Sequence, residues 1–249
     1  MQIGSEKWKK LIADGAKDLE IHIDQAKTDL FAIHALELMK WTSKINLTAI
    51  TDPLEIAAKH FLDSIVPAPI ISPYASLLDI GSGGGFPGIP LKVLMPSLSV
   101  TLIDASRKKV SFLKHVIRRL RLDNIDARHI RAEELSRDRI FANTYDVVIS
   151  RALFSMDTFV LMALPLLAKD GAIIAMKGKA SAEEIESEHL LINKSLNITE
   201  DDKNNFTLAL KKYTLPYLKL ERSIIIGIMD ERNIDMMSIL AGKNQILFR

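Results

Sequence analysis

Apolar and polar positions change rhythm twice along the chain. From residue 5 to about 70 the spacing is helical: in TDLFAIHALELMKW (28–41), Leu30, Phe31, Ile33, Leu36, Leu38 and Met39 fall on one broad stripe. Recurrence every three to four residues predicts helices with one face against a core. From residue 76 short β-branched runs, SLLDI, SVTLID, DARHI, YDVVIS and GAIIAMK, alternate with helical stretches. That alternation predicts βαβ units and a parallel sheet, since parallel neighbours need a crossover long enough to hold a helix. The tail breaks the rhythm again. FTLALKKYTLPYL and RSIIIGIM follow each other with no helix between them, which predicts an antiparallel pair at one edge. The expected architecture is α/β, a mostly parallel sheet with an antiparallel edge hairpin. A helical N-terminal extension (1–72) is expected to pack on a sheet domain (73–249).

Composition narrows the function classes. The 249 residues are 48% hydrophobic and 26% charged, enough to bury a sizeable core. There is no cysteine, which excludes disulfides, thiolate metal sites and attack through a thiol. No metal site is expected. MQIGSEKWKK lacks the apolar core of a signal peptide, and the longest apolar run, FVLMALPLLA (159–168), is short and contains Pro165. No membrane association is expected, and the cytoplasm is the expected compartment. The net charge of +2 hides a local excess: between Arg107 and Arg131 nine lysines and arginines face two acids, Asp123 and Asp126. Within it RKKVSFLKHVIRRLRL predicts an amphipathic helix, with Val110, Leu113, Ile117 and Leu120 on one face and Lys114, Arg118 and Arg121 on another. A solvated basic face is the simpler reading, and an RNA-contact helix the sharper one.

The stretch LLDIGSGGGFPGIP (77–90) carries the chemistry. Gly83, Gly85 and Gly88 satisfy G-x-G-x-x-G after a strand, and Asp104 stands about 20 residues on, as in a dinucleotide fold. Asp79 and Gly81 add the register D-x-G-x-G. A carboxylate facing that loop would repel a pyrophosphate and suit a ligand bearing an ammonium group. S-adenosylmethionine carries an ammonium and no phosphate. In that reading Gly81 and Gly83 permit close backbone approach, Asp104 accepts from ribose hydroxyls, and Ala132 and Glu133, beyond the third strand, meet the adenine edge. Capping of the turn by Asp79, and an ordinary helix-entry role for Glu133, are the structural alternatives.

LLDIGSGGGFPGIPLKVLMP, together with SRA (150–152), NLTAI (46–50) and KHFLDS (59–64), resembles the 16S ribosomal RNA guanine-N7 methyltransferase G family, also called glucose-inhibited division protein B. The similarity runs over about residues 30 to 230. It implies a Rossmann-like class I methyltransferase sheet, S-adenosyl-L-methionine as methyl donor, and a guanine of 16S ribosomal RNA, free or in the small ribosomal subunit, as acceptor. It also implies cofactor contacts from Gly81, Phe86, Ala132, Glu133 and Arg151. A monomer is expected. The polar segment MDERNIDMMSILAGKNQ near the C-terminus has no match in the family pattern.

The residue inventory constrains the acceptor independently. Methylation of pyrimidine C5 commonly uses a cysteine nucleophile, which this chain lacks. Exocyclic amine methylation is often associated with an Asn/Asp-Pro-Pro-aromatic clamp after the fourth strand, where this chain reads SRALFS. Guanine N7 needs neither, since it has an in-plane lone pair and no proton to remove. Alignment would then be the protein's task, and no residue is assigned as a general base. Arg151 fits a cofactor role, a role at O6 or phosphate, or a surface ion pair, Lys177 a phosphate or solvated role, and His60 a contact to cofactor or substrate or, more commonly, a hydrogen-bonded packing role. Phe86 or Phe154 could lie against a base. A nicotinamide-dependent oxidoreductase and a noncatalytic RNA-binding module remain alternatives at this point.

Overall fold

The computed structural model describes residues 1–151, 155–196, 206–229 and 245–248. Its chain divides into two compact units, Met1–Arg131 with Leu215–Leu220, and Ala132–Thr214 with Glu221–Arg249. The first unit opens with α1 (Glu6–Asp18) and α2 (Gln25–Ile45). Each begins on a side-chain cap that satisfies an amide the helix cannot: Ser5 accepts from Trp8 N, and Asp24 from Lys27 N. Trp8 is fully buried and its indole donates to Pro53 O at 2.9 Å, tying α1 to the next helical stretch. That stretch runs α3 (Pro53–Glu55), a π-helix (Ile56–Leu62) and α4 (Asp63–Ile65). Asp52 caps its start by accepting from the amides of Leu54 and Glu55, with Pro53 placed where no amide is missed.

Three strands follow in the order β3-β2-β1, all parallel: β1 (Ser76–Ile80), β2 (Ser99–Asp104) and β3 (Ile125–His129). Leu77, Leu78, Asp79 and Ile80 are all buried, the mark of a strand covered on both faces. The crossovers are α5 (Gly88–Leu94) and α6 (Arg107–Leu120). In α6 the buried side is Val110, Phe112, Leu113, Val116 and Leu120, with Ile117 half-buried. The basic side chains of Lys114, Arg118 and Arg121 are exposed as the pattern predicts. In α2 the pattern misplaces the core. Phe31, His34, Ala35 and Leu38 are buried, whereas Leu36 is half-exposed at 50%. Counting apolar letters puts Leu36 on the stripe and passes over a histidine on the true i, i+3, i+4, i+7 face.

The second unit carries α7 (Ala132–Leu135), β4 (Tyr145–Arg151), α8 (Met156–Ala163), β5 (Leu167–Lys177), α9 (Ala182–Ser195), β6 (Phe206–Leu215), β7 (Leu220–Met229) and β8 (Gln245–Phe248). Its strands run in the order β4-β5-β7-β6-β8, with β4 and β5 parallel and β5 antiparallel to β7. The antiparallel edge is therefore present. It extends one strand further than the pattern predicts, because β8 pairs antiparallel with β6, Leu208 opposite Phe248. The polar stretch 230–244 before β8 lies outside the described residues. The apolar run 159–168 is divided between the end of α8, a turn of 3-10 helix at Leu164–Leu166 and the start of β5. Pro165 ends the helical part by withholding an amide. No helix among the described residues is long and apolar enough to cross a membrane.

Candidate cofactor site at the glycine loop

The loop between β1 and α5 is built from opposite requirements. Gly81, Gly83 and Gly85 have φ of 72°, 56° and 90°, a region that side chains disfavour. Of residues 81–90 only Gly81 and Gly83 are half-exposed; Ser82 and all of 84–90 are buried. A Cβ on Gly83 would meet nothing nearer than the Gly81 carbonyl at 3.8 Å. One on Gly85 would lie 2.5 Å from Ile89 Cδ1, and one on Gly88 would lie 2.4 Å from Leu102 Cδ2 and 2.8 Å from Asp79 Oδ2. The first turn is thus bare backbone facing outward, and the second is backbone pressed into the core.

Asp104 ends β2 and organises the open turn. Its Oδ2 accepts from Gly83 N at 3.1 Å and its Oδ1 from Ser106 N at 2.8 Å, and Lys109 Nζ stands 3.9 Å from Oδ2. Each carboxylate oxygen retains a second acceptor site, so ribose hydroxyls remain compatible partners. Gly81 N and Ser82 N both donate to Ile103 O, at 2.9 and 3.0 Å, and Ser82 Oγ donates to Asp79 O. Asp79 itself is fully buried, with Oδ2 accepting from Gly88 N at 2.9 Å. It serves as the cap of the second turn. That bond and its enclosure are what the capping alternative for Asp79 describes.

Phe86, joined to Pro87 by a cis peptide, stacks on two imidazoles. The ring centroids of His34 and His60 stand 4.7 and 4.6 Å from it, with interplanar angles of 12° and 11°. At 4% exposure its ring is a packing element of the loop. His60, on the π-helix, is buried and hydrogen-bonded to Thr48 Oγ1 at 2.9 Å, as the packing reading describes. That contact joins the NLTAI and KHFLDS motifs, and the stack joins both to the loop. His34 does not stand out in the sequence. It is fully buried, and its Nε2 stands 2.8 Å from Gly84 O, so Nε2 carries the proton. Burial pushes its pKa down to about 4. The available signal is a polar residue on the Phe31/Leu38 face.

Gly81, Gly83, Phe86 and Asp104 are therefore brought together within the first unit. In the second, Ala132 is buried at the start of α7 with Glu133 exposed beside it, and Arg151 ends β4 half-buried, opposite Met176. Lys177 ends β5 in an ion pair with Glu188. Phe154, with Ala152 of SRA, lies outside the described residues. Among the described residues no three metal-ligating side chains cluster.

A parallel sheet with a glycine turn after β1, an acid ending β2 and an antiparallel edge is the architecture of Rossmann-like class I methyltransferases. Solved structures agree in fold. The O-methyltransferase from Bacillus cereus in complex with SAH superposes with a TM-score of 0.55 at 16% identity, covering 90% of this chain and 99% of that one. A SAM-dependent methyltransferase from Aquifex aeolicus gives 0.51 at 16% identity, covering 78% and 98%. The family model GidB, rRNA small subunit methyltransferase G, matches residues 27–208, and the chain belongs to that family. The ribosomal RNA small subunit methyltransferase G of Geotalea uraniireducens is 47% identical over 74% of this chain and 83% of its own length. That of Acetivibrio thermocellus is 38% identical over 88% of each. Membership sets aside the oxidoreductase and noncatalytic readings.

Proposed function

We propose that the chain transfers the methyl group of S-adenosylmethionine to N7 of a guanine in 16S ribosomal RNA. The observation that carries this is the family match over 27–208, which contains the glycine loop, Asp104, Ala132, Glu133 and Arg151. When bound, S-adenosylmethionine supplies an electrophilic methyl on a sulfonium. The loop fits such a ligand, since Gly81 and Gly83 offer outward-facing backbone where a Cβ on Gly83 would intrude, and Asp104 keeps acceptor capacity for ribose. Phe86, Ala132, Glu133 and Arg151 are retained as proposed cofactor contacts on the family resemblance. N7 presents its lone pair without deprotonation, so the residues' task is to bind, align and exclude water, a proximity effect in which no side chain moves a proton. An arginine donating to N7 would block that lone pair, which leaves Arg151 the cofactor, O6 or a phosphate. With ribosomal RNA as acceptor, the reading includes a cytoplasmic enzyme that acts as a monomer.

The test uses the product's chemistry. N7-methylguanine carries a fixed positive charge, and reduction followed by aniline cleaves the strand there, whereas N1- or N2-methylguanine survives. 16S RNA from cells with the protein should show a cleavage band that is missing from cells without it. No enzyme-dependent band, with methyl transfer from S-adenosylmethionine confirmed, would place the methyl group on another atom or another substrate.

A further inference from the structure

We propose that His34 is a positioning residue for cofactor binding, holding the Gly84 carbonyl, and through it the open turn at Gly81 and Gly83, in the conformation that receives the ligand. The proposal rests on the reading of this loop as the S-adenosylmethionine cradle.

Four glycines in five residues make the stretch 81–85 the part of the chain with the least intrinsic backbone preference. The peptide joining Gly84 to Gly85 has glycine on both sides, so little in its own sterics decides which way the Gly84 carbonyl points. Neighbouring bonds fix the ends of the turn: Asp104 takes the Gly83 amide, and the Gly85 and Phe86 amides donate to Ser82 O at 2.7 and 2.9 Å. The Gly84 carbonyl is held from outside the loop, by His34 Nε2, 50 residues earlier in the sequence. The imidazole is itself immobilised. It stacks on Phe86, meets Phe61 edge-on at 5.4 Å and lies against Phe112 at 6.3 Å.

Packing alone does not explain a histidine there. A phenylalanine would supply the same aromatic contacts with no polar atom to bury. His34 instead leaves Nδ1 buried with no hydrogen-bond partner among the described residues, an arrangement that costs free energy. What the imidazole adds is one directed donor. That donor ends on the residue following Gly83, whose bare backbone faces outward. Preorganised backbone raises affinity by removing the ordering cost from the binding step.

Two substitutions separate donor from ring. His34→Gln keeps an amide nitrogen the same number of bonds from Cβ and loses the ring; His34→Phe keeps the ring and loses the donor. By calorimetry, His34→Phe should weaken S-adenosylmethionine binding roughly tenfold while His34→Gln stays within about threefold of the parent. His189 gives the control, a buried imidazole bonded to Phe206 O at 2.7 Å in the second unit. His189→Phe should lower the unfolding temperature without changing cofactor affinity. Equal or tighter binding by His34→Phe than by His34→Gln would overturn the proposal, reducing His34 to packing. No binding by the parent protein would overturn the proposed function and this inference with it. A readout on the parent needs no variant: the His34 Nε2–H resonance in a nitrogen-15 spectrum should shift when S-adenosylmethionine is added, and a signal that stays in place at saturation overturns the proposal.

Discussion

The two halves of the glycine loop share a motif and little else. In the first, Gly81 and Gly83 leave backbone half-exposed, and a Cβ on Gly83 would meet nothing nearer than 3.8 Å; in the second, Gly85 and Gly88 are glycines because Ile89, Leu102 and Asp79 already occupy the place of a side chain. Read as letters, G-x-G-x-x-G treats these positions alike. Physically the first pair makes room for a ligand and the second makes room for the protein. Substitutions in the two halves should therefore fail differently, one in binding and one in folding.

The largest effect should come from forcing that contrast. Gly81→Arg places a long side chain on the open turn and should weaken S-adenosylmethionine binding by more than about a hundredfold, ~3 kcal/mol or more, while the unfolding midpoint falls only slightly. Gly88→Ala should do the reverse. Its Cβ must displace Leu102 and the capping carboxylate of Asp79, at a cost of about 2 to 3 kcal/mol in denaturant unfolding. If Gly88→Ala folds like the parent, or Gly81→Arg still binds like it, the division of the loop is wrong.

A smaller effect concerns the histidine behind the packed half. The folded pKa of His34 is depressed to about 4 from 6.5 by burial, so the unfolded chain takes up its proton first as pH falls. Its contribution is complete above pH 6.5 and is lost progressively toward pH 4, amounting to about 2 kcal/mol between pH 7 and pH 5. Denaturant unfolding of the parent should show this slope and His34→Phe should lack that share of it, the nearby His60 being common to both. Parallel curves would mean that His34 takes up its proton alike in the folded and unfolded chain.

The smallest effect on the loop should come from α6. Neutralising Lys114, Arg118 and Arg121, all exposed, should leave cofactor affinity unchanged. If these residues touch phosphate, each phosphate that no longer meets a cation should flatten the salt dependence of RNA binding by ~0.7 to 0.9 in log–log slope. An unaltered slope would return the helix to a solvated face, and a change in cofactor affinity would mean that the open turn is not independent of it.

Much of this is legible in sequence because it depends on local rules. Strand-like runs alternating with amphipathic stretches point to β1 to β5 and the crossovers, since a two-residue period and a 3.6-residue period are properties of the backbone. The positions of Gly81, Gly83 and Asp104 follow from a motif whose geometry is set within one βαβ unit. The places where reading fails are the places where distant segments meet. The apolar pattern puts Leu36 in the core and leaves His34 out, because an apolar count cannot know that a histidine has a carbonyl to serve. The capping bond of Asp79 is not legible in its letter, because its partner, the Gly88 amide, is defined only once the turn has closed. β8 is invisible to the pattern because its pairing with β6 is a long-range choice.

By itself, then, the sequence determined the class of fold, the family and the turn where a cofactor would sit, because periodicity, turn chemistry and motif spacing are written within a few tens of residues. Only the tertiary structure decided which glycines face space and which face the core, that Asp79 caps and Asp104 organises, and that α2 and the π-helix bring two imidazoles onto Phe86. Those outcomes depend on which surfaces exclude water from one another, and a neighbour 50 residues away, as Gly84 is from His34, is chosen by packing rather than by any local pattern.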